Sequence, residues 1–201
     1  MNKLDEIKSA AQTLFAIKGY AAASMQEIAD LVGLNKATLY FYTKSKKELY
    51  LHIIDEHFNY LRDALEQIFN EHKDKPLDIW LFLATKAIVM NSSYEAILFW
   101  KKAHLLAASD IDDDLKQRLQ KIICNNNQQY KCLVNTLLTT KQMKIEDTQL
   151  AHFVLSYEVF IQGILDWRLQ NKNADTDQIM SVLWAAFWNG NRLVNETLAA
   201  D

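Results

Sequence analysis

Apolar positions recur every three or four residues along most of the chain, and no stretch sustains the alternation of a half-buried strand. The pattern predicts an all-α protein of about nine helices. The first spans 3–18, carries Leu4, Ile7, Ala11, Leu14 and Phe15 on one face, and stops at Gly19. Two short helices follow within 24–42. A fourth begins at Ser45 and runs to about His72, roughly 40 Å at helical rise. Pro76 closes the next loop and opens a fifth helix to about Met90. The sixth runs from about Ser93 to Ala108, and the seventh, behind Ser109-Asp110, over about 112–139. The eighth and ninth, about 147–171 and 175–199, are separated by the polar stretch NKNADT.

The short pair is the most informative segment. In SMQEIADLVGLNKATLYFY (24–42), Ile28, Val32, Leu34, Leu39 and Tyr42 are the large apolar or aromatic positions, and all are expected to pack inward. Ala29 is small where two helices must cross closely, and Gly33 stands where the turn needs a residue tolerating positive φ. Ser24 with Glu27 reads as a capping box opening the first helix of the pair, and Asn35 caps the second. Ser45 with Glu48 opens the long fourth helix in the same way. These signals describe a helix-turn-helix, whose second helix offers its outer face to a DNA major groove.

Composition limits the alternatives. Half of the 201 residues are hydrophobic, while Gly numbers four and Pro one, so the core is large and turn punctuation scarce. The start, MNKLDEIKSAAQTLF, has no uninterrupted apolar run, so no signal peptide is expected. Nothing approaches about 18 consecutive apolar residues, so no membrane span is expected either. Cys124 and Cys132 lie roughly 12 Å apart along one helix, too far for a disulfide, and are read as thiols of a reducing cytoplasm. The formal net charge of −3 disfavours DNA only until it is divided. Residues 1–48 hold seven Lys against five acids, and four of those Lys (Lys36, Lys44, Lys46, Lys47) fall between 36 and 47. Phosphate responds to local charge, so this cluster outweighs the total.

The arrangement resembles the TetR family of bacterial transcription regulators. Ala10-Ala11, Leu14-Phe15, Lys18-Gly19-Tyr20, Ser24, Ile28-Ala29, Gly33, Lys36, Thr38-Leu39-Tyr40 and Ser45-Lys46-Lys47-Glu48-Leu49 carry the resemblance, over about the first 50 residues. Thr43 departs from it, standing where the family usually places an aromatic ring. The resemblance implies a three-helix DNA-binding head, residues 1–47, joined to a larger helical ligand-binding and dimerisation domain, residues 48–201. It further implies a ligand-responsive regulator, released from its operator by a small, largely apolar effector. The alternative is a DNA-binding protein of the same fold controlled by a protein partner or lacking small-molecule input.

For the head, Lys36 sits in the first turn of the recognition helix and suits guanine O6 and N7. Ala37 allows close approach and suits a thymine methyl. Thr38 offers a hydroxyl, Phe41 an apolar ring, and Asn35 stands beside them as the cap. Tyr40 resembles the family's phosphate-contacting tyrosine. Ser24 and Gln26 open the preceding helix, whose N–H groups suit a phosphate, and Lys46 is placed against the flanking backbone.

Beyond the head, Gly163 and Gly190 read as mid-helix glycines, each costing ~1 kcal/mol relative to Ala unless helices approach closely there. With Trp167, Ala186, Phe187 and Val194 they form the candidate interface of a homodimer, the assembly that the resemblance also implies. Candidate effector contacts are Trp80, Trp100, Phe153 and Tyr157, with His104, Tyr130 and Glu158 as the polar groups. His52, Glu56 and His57 sit together on one helix, but without an HExxH motif or a second ligand cluster no metal site is expected. No phosphate-binding glycine loop or nucleophile motif is present, so neither catalysis nor a cofactor is expected.

Overall fold

The computed structural model describes residues 2–72, 74–107, 112–140, 147–172 and 174–191, and leaves the side chains of 126, 127, 129–131, 133–140 and 147–150 undescribed. Among the described residues every element is a helix: α1 (Lys3–Ala22), α2 (Met25–Leu31), α3 (Lys36–Tyr42), α4 (Lys46–His72), α5 (Leu77–Asn91), α6 (Tyr94–Ala107), α7 (Asp113–Thr140), α8 (Asp147–Gln170) and α9 (Thr176–Gly190). Positions and lengths follow the hydrophobic pattern closely through α8, and the expected stretch of the ninth helix beyond 191 lies outside the described residues. The main differences lie at helix ends, where apolar periodicity carries no information and capping does.

Helix α1 starts at a capping box, Asn2 with Asp5, and its regular course breaks at Gly19, as expected. Beyond that break, where φ is 82°, one more short turn runs to Ala22. A Cβ there would meet nothing within 4 Å, so backbone conformation rather than space calls for glycine. Gly33, at φ 66°, fills the same need in the turn between α2 and α3. Ser24 and Glu27 form the complete reciprocal box at α2. At α4 the Ser45 hydroxyl accepts from the Glu48 N–H at 3.1 Å, but the Glu48 carboxylate turns to Arg118, held at 2.5 and 3.0 Å.

The chain divides into two compact units, Met1–Tyr60 with Ser93–Asn125, and Leu61–Ser92 with Asn126–Asp201. The first contains the whole expected DNA-binding domain, together with the start of α4, all of α6 and the first part of α7. Its core joins Ile7, Ala11 and Phe15 of α1, Ile28 and Ala29 of α2, Leu39 of α3, Leu49, Tyr50 and Ile54 of α4, Phe99 and Ala103 of α6, and Leu115 and Leu119 of α7. Phe15, Tyr20, Tyr50 and Phe99 form a ring cluster with centroids 4.9–6.3 Å apart. Polar ties lie around this core: Lys102 donates to the Ile17 carbonyl, Lys3 to the Val32 carbonyl, and Lys47 pairs with Asp114 at 2.6 Å.

Trp100 stands in the same unit between two histidines, with His104 4.4 Å and His57 5.9 Å away, centroid to centroid. Burial lowers the pKa of both histidines below the ordinary 6.5, and Lys101 adds to the effect at His104. The neutral rings are therefore favoured in the folded state, while the unfolded chain takes up the protons first. Stability is full above about pH 6.5 and is lost as pH falls toward the folded-state values. Thermal melting between pH 7.5 and 5 should show this loss, and His57→Phe should flatten it; an unchanged slope would assign the effect elsewhere.

In the second unit, α5 packs on α8 and α9. Trp80, Leu81, Ala84, Phe153, Tyr157, Ile161, Ile164, Met180 and Trp184 are buried there. The Tyr157 and Thr85 hydroxyls lie 2.8 Å apart, and each is within hydrogen-bond reach of the Leu81 carbonyl, at 3.2 and 2.8 Å. Arg168 caps the end of α5 by donating to the carbonyls of Val89 and Ser92. No helix among the described residues is long and apolar enough to cross a membrane.

Candidate nucleic-acid interface

Helix α3 is only seven residues long, so its hold on the protein is concentrated in a single side chain. Leu39 is fully buried and fixes which face of the helix is inward. Opposite it, Lys36, Ala37, Tyr40 and Phe41 are exposed, with Phe41 87% exposed. Asn35 caps the helix: its Oδ1 accepts from the Thr38 N–H at 2.7 Å and from the Thr38 hydroxyl at 2.9 Å. Thr38 is half-buried, and its hydroxyl proton is already engaged, so it is left as an acceptor. Tyr42 was expected to pack inward and instead is 42% exposed. The helix ends at this residue and the backbone turns extended at Thr43, so nothing closes over the ring.

Ser24 and Gln26 stand exposed at the start of α2. Gln26 donates to Asp30 at 2.8 Å, and the Ser24 hydroxyl donates to Glu27 at 2.8 Å. The Glu27 carboxylate also takes Lys18, and these partners hold its pKa at about 2. An acid thus already occupies the positive end of α2.

Sequence position pointed Lys46 at a flanking phosphate; here its ammonium caps α1. It donates to the carbonyls of Tyr20 at 2.8 Å and Ala23 at 2.9 Å, and lies 4.5 Å from the Tyr20 ring centroid. Partial burial lowers its pKa. These carbonyls belong to the last turn of α1 and to its C-cap, Ala23, where no further helical N–H follows, so a cation serves them. Lys46→Ala should therefore destabilise the first unit by about 1–3 kcal/mol while leaving the salt dependence of duplex binding in place. A flattened salt dependence with unchanged melting would restore the phosphate role. Lys47 is likewise engaged, by Asp112 and Asp114, which leaves Lys36 and Lys44 as the exposed cations of the cluster.

Exposed donors on a capped, seven-residue helix behind a glycine turn form a module of recognisable type. Residues 7–53 match the model for bacterial regulatory proteins of the tetR family. The head is thus similar to the DNA-binding domain of the TetR family. A Staphylococcus epidermidis relative, the negative transcriptional regulator IcaR of the biofilm operon icaADBC, is 28% identical over 162 residues, covering 80% of this chain and 77% of that protein. The MbdR regulator from Azoarcus superposes with a TM-score of 0.73 at 20% identity, covering 94% of this chain and 98% of that one. FadR from Bacillus subtilis, solved in complex with stearoyl-CoA, gives 0.68 at 15% identity over 91% and 96% of the two chains. The chain is a DNA-binding transcriptional regulator, all-helical among its described residues.

The candidate effector residues of the regulator fall into both compact units. Trp100 and His104 lie in the first, against His57 and Phe58. Trp80, Phe153, Tyr157 and the half-buried Glu158 lie in the second. Tyr130 belongs to α7, but its side chain lies outside the described residues. His52 and Glu56 pair at 3.3 Å, and Lys8 reaches Glu56 at 2.6 Å, whereas His57 packs on Trp100; the three do not converge.

Of the candidate interface residues, Gly163, Ala186 and Gly190 are exposed, Trp167 and Phe187 are half-buried, and Val194 lies outside the described residues. Gly190 ends the described part of α9 rather than lying inside it. A Cβ at either glycine would meet nothing within 4 Å, so neither is required by packing within one chain. The reading from sequence missed the rest of this surface. Leu155, Val159 and Gly163 on α8, and Val182, Ala186 and Gly190 on α9, repeat at four-residue spacing on exposed faces. That spacing was visible in the sequence; which side of each helix faced outward was not.

Proposed function

We propose that the protein is a cytoplasmic, homodimeric repressor that leaves its operator when a small, largely apolar effector binds its helical body. The orientation of α3 supports the DNA-binding half: Leu39 inward, with Lys36, Ala37, Tyr40 and Phe41 outward. One such module reads half a site, and two held in a dimer read a pair of half-sites. The exposed stripes on α8 and α9 are the proposed contact between copies, giving a four-helix interface. The IcaR relative, a negative regulator by name, supports repression.

For the effector, the support is the ring-rich core of the second unit, together with the stearoyl-CoA complex of the FadR neighbour. Helix α4 contributes to both units, Leu49, Tyr50 and Ile54 in the first and Phe69 in the second. It gives packing changes in the body a continuous helical route toward the head. A ligand acts through it only by its difference in affinity between the bound and released forms.

The test titrates stearoyl-CoA, stearate and smaller apolar ligands into the protein on a duplex selected from a random pool, followed by fluorescence anisotropy. Release by one of them at concentrations that saturate the protein is the expected result. Ligands that bind tightly yet leave duplex affinity unchanged would sink the switch.

A further inference from the structure

Among the described residues, one buried side-chain polar atom has no hydrogen-bond partner: the indole Nε1 of Trp80, in a residue only 2% exposed. The other buried polar side chains are satisfied, Thr85 by Leu81 and Tyr157, and Ser92 by the Ile88 carbonyl. An orphaned buried N–H costs about 1–3 kcal/mol, and a buried indole ordinarily finds an acceptor. Volume alone would be served by Phe, which carries no such cost. The ring meets Phe69 edge-on at 6.3 Å and shares its face of α5 with the buried Leu77, Leu81 and Ala84. The N–H is thus a single donor in apolar surroundings, the pairing that orients a largely apolar ligand.

We infer that Trp80 Nε1 is the donor of an effector subsite, and that the effector carries a neutral carbonyl on an apolar body. This rests on the ligand-responsive reading above and narrows it to a chemical class: ketones, esters, thioesters or amides rather than bare hydrocarbons or carboxylates. Among the described residues the buried side chains include no cation to receive a carboxylate, and an unpaired charge in that core costs far more than a carbonyl. A hydrocarbon would leave the indole as unsatisfied as before.

The experiment uses the full chain with its tryptophans 15N-labelled and three probes of matched shape: acetophenone, ethylbenzene and benzoate. Trp80→Phe assigns the Trp80 indole signal. Acetophenone should shift that signal saturably downfield, ethylbenzene should not, and benzoate should bind more weakly than acetophenone. In Trp80→Phe, acetophenone affinity should fall about fivefold, the loss of one neutral hydrogen bond, while ethylbenzene affinity holds. No saturable shift with acetophenone, an equal shift with ethylbenzene, or a preference for benzoate each overturns the inference. Should Trp80→Phe not fold, Phe at Trp100, Trp167, Trp184 and Trp188 in turn assigns the Trp80 signal by elimination, and the wild-type probe comparison stands. Duplex binding, measured in parallel, separates the two failures: a protein that binds no duplex loses the regulator reading, whereas one that binds duplex but fails the acetophenone test loses only the subsite.

Discussion

Val159→Arg should yield a folded monomer whose affinity for a two-half-site duplex is lower by about 100-fold or more. Val159 is 64% exposed on α8 and Val182 67% exposed on α9, so an arginine at 159 costs the isolated chain little, within about 0.5 kcal/mol. Between two copies the same arginine would be buried in an apolar stripe with no counter-charge, and that is strongly unfavourable. Each head would then bind alone, without the effective concentration that its twin supplies. Sedimentation velocity reads the assembly and anisotropy the affinity. A variant that stays dimeric moves the interface away from α8 and α9; one that is monomeric yet binds at full strength removes the need for a dimer.

Leu39→Ala should destabilise the first unit by about 2–5 kcal/mol and abolish duplex binding with it. Leu39 is the one buried side chain of α3, so its loss leaves a cavity where the recognition helix meets the core. Phe41→Ala, two residues away, is the complementary case. An 87% exposed ring contributes little to folding, so melting should hold within about 0.5 kcal/mol while duplex affinity falls by about tenfold. Chemical denaturation and anisotropy on both variants read the two effects separately. The reverse outcome, with Phe41 stabilising the fold and Leu39 dispensable, would mean that α3 is rotated about its axis.

Much of this architecture was legible because it rests on local rules. Gly33 at a positive φ, Ser24 with Glu27, and Asn35 on the Thr38 N–H all follow from positions a few residues apart. The core residues Ile28, Ala29 and Leu39 follow from helical period. What depended on distant partners was not legible. Nothing local to Lys46 announces that it serves the carbonyls at the end of α1, or that Glu48 gives up half of its capping box to Arg118, 70 residues away. The rings of the body were equally ambiguous. Trp80 and Trp100 look alike in sequence, yet one stands with Phe69 in the second unit and the other with His57 and His104 in the first.

The central claim is that α3 of each of two copies enters the major groove of duplex DNA with Lys36, Tyr40 and Phe41 outward. Selection of duplexes from a random pool at low ionic strength, followed by hydroxyl-radical footprinting, tests it most directly. The prediction is an inverted repeat with half-site centres about 10–10.5 base pairs, or a multiple of that, apart, lost when Lys36, Tyr40 and Phe41 are replaced by alanine. Retention of no duplex at all, or an unchanged footprint in that triple variant, would contradict it.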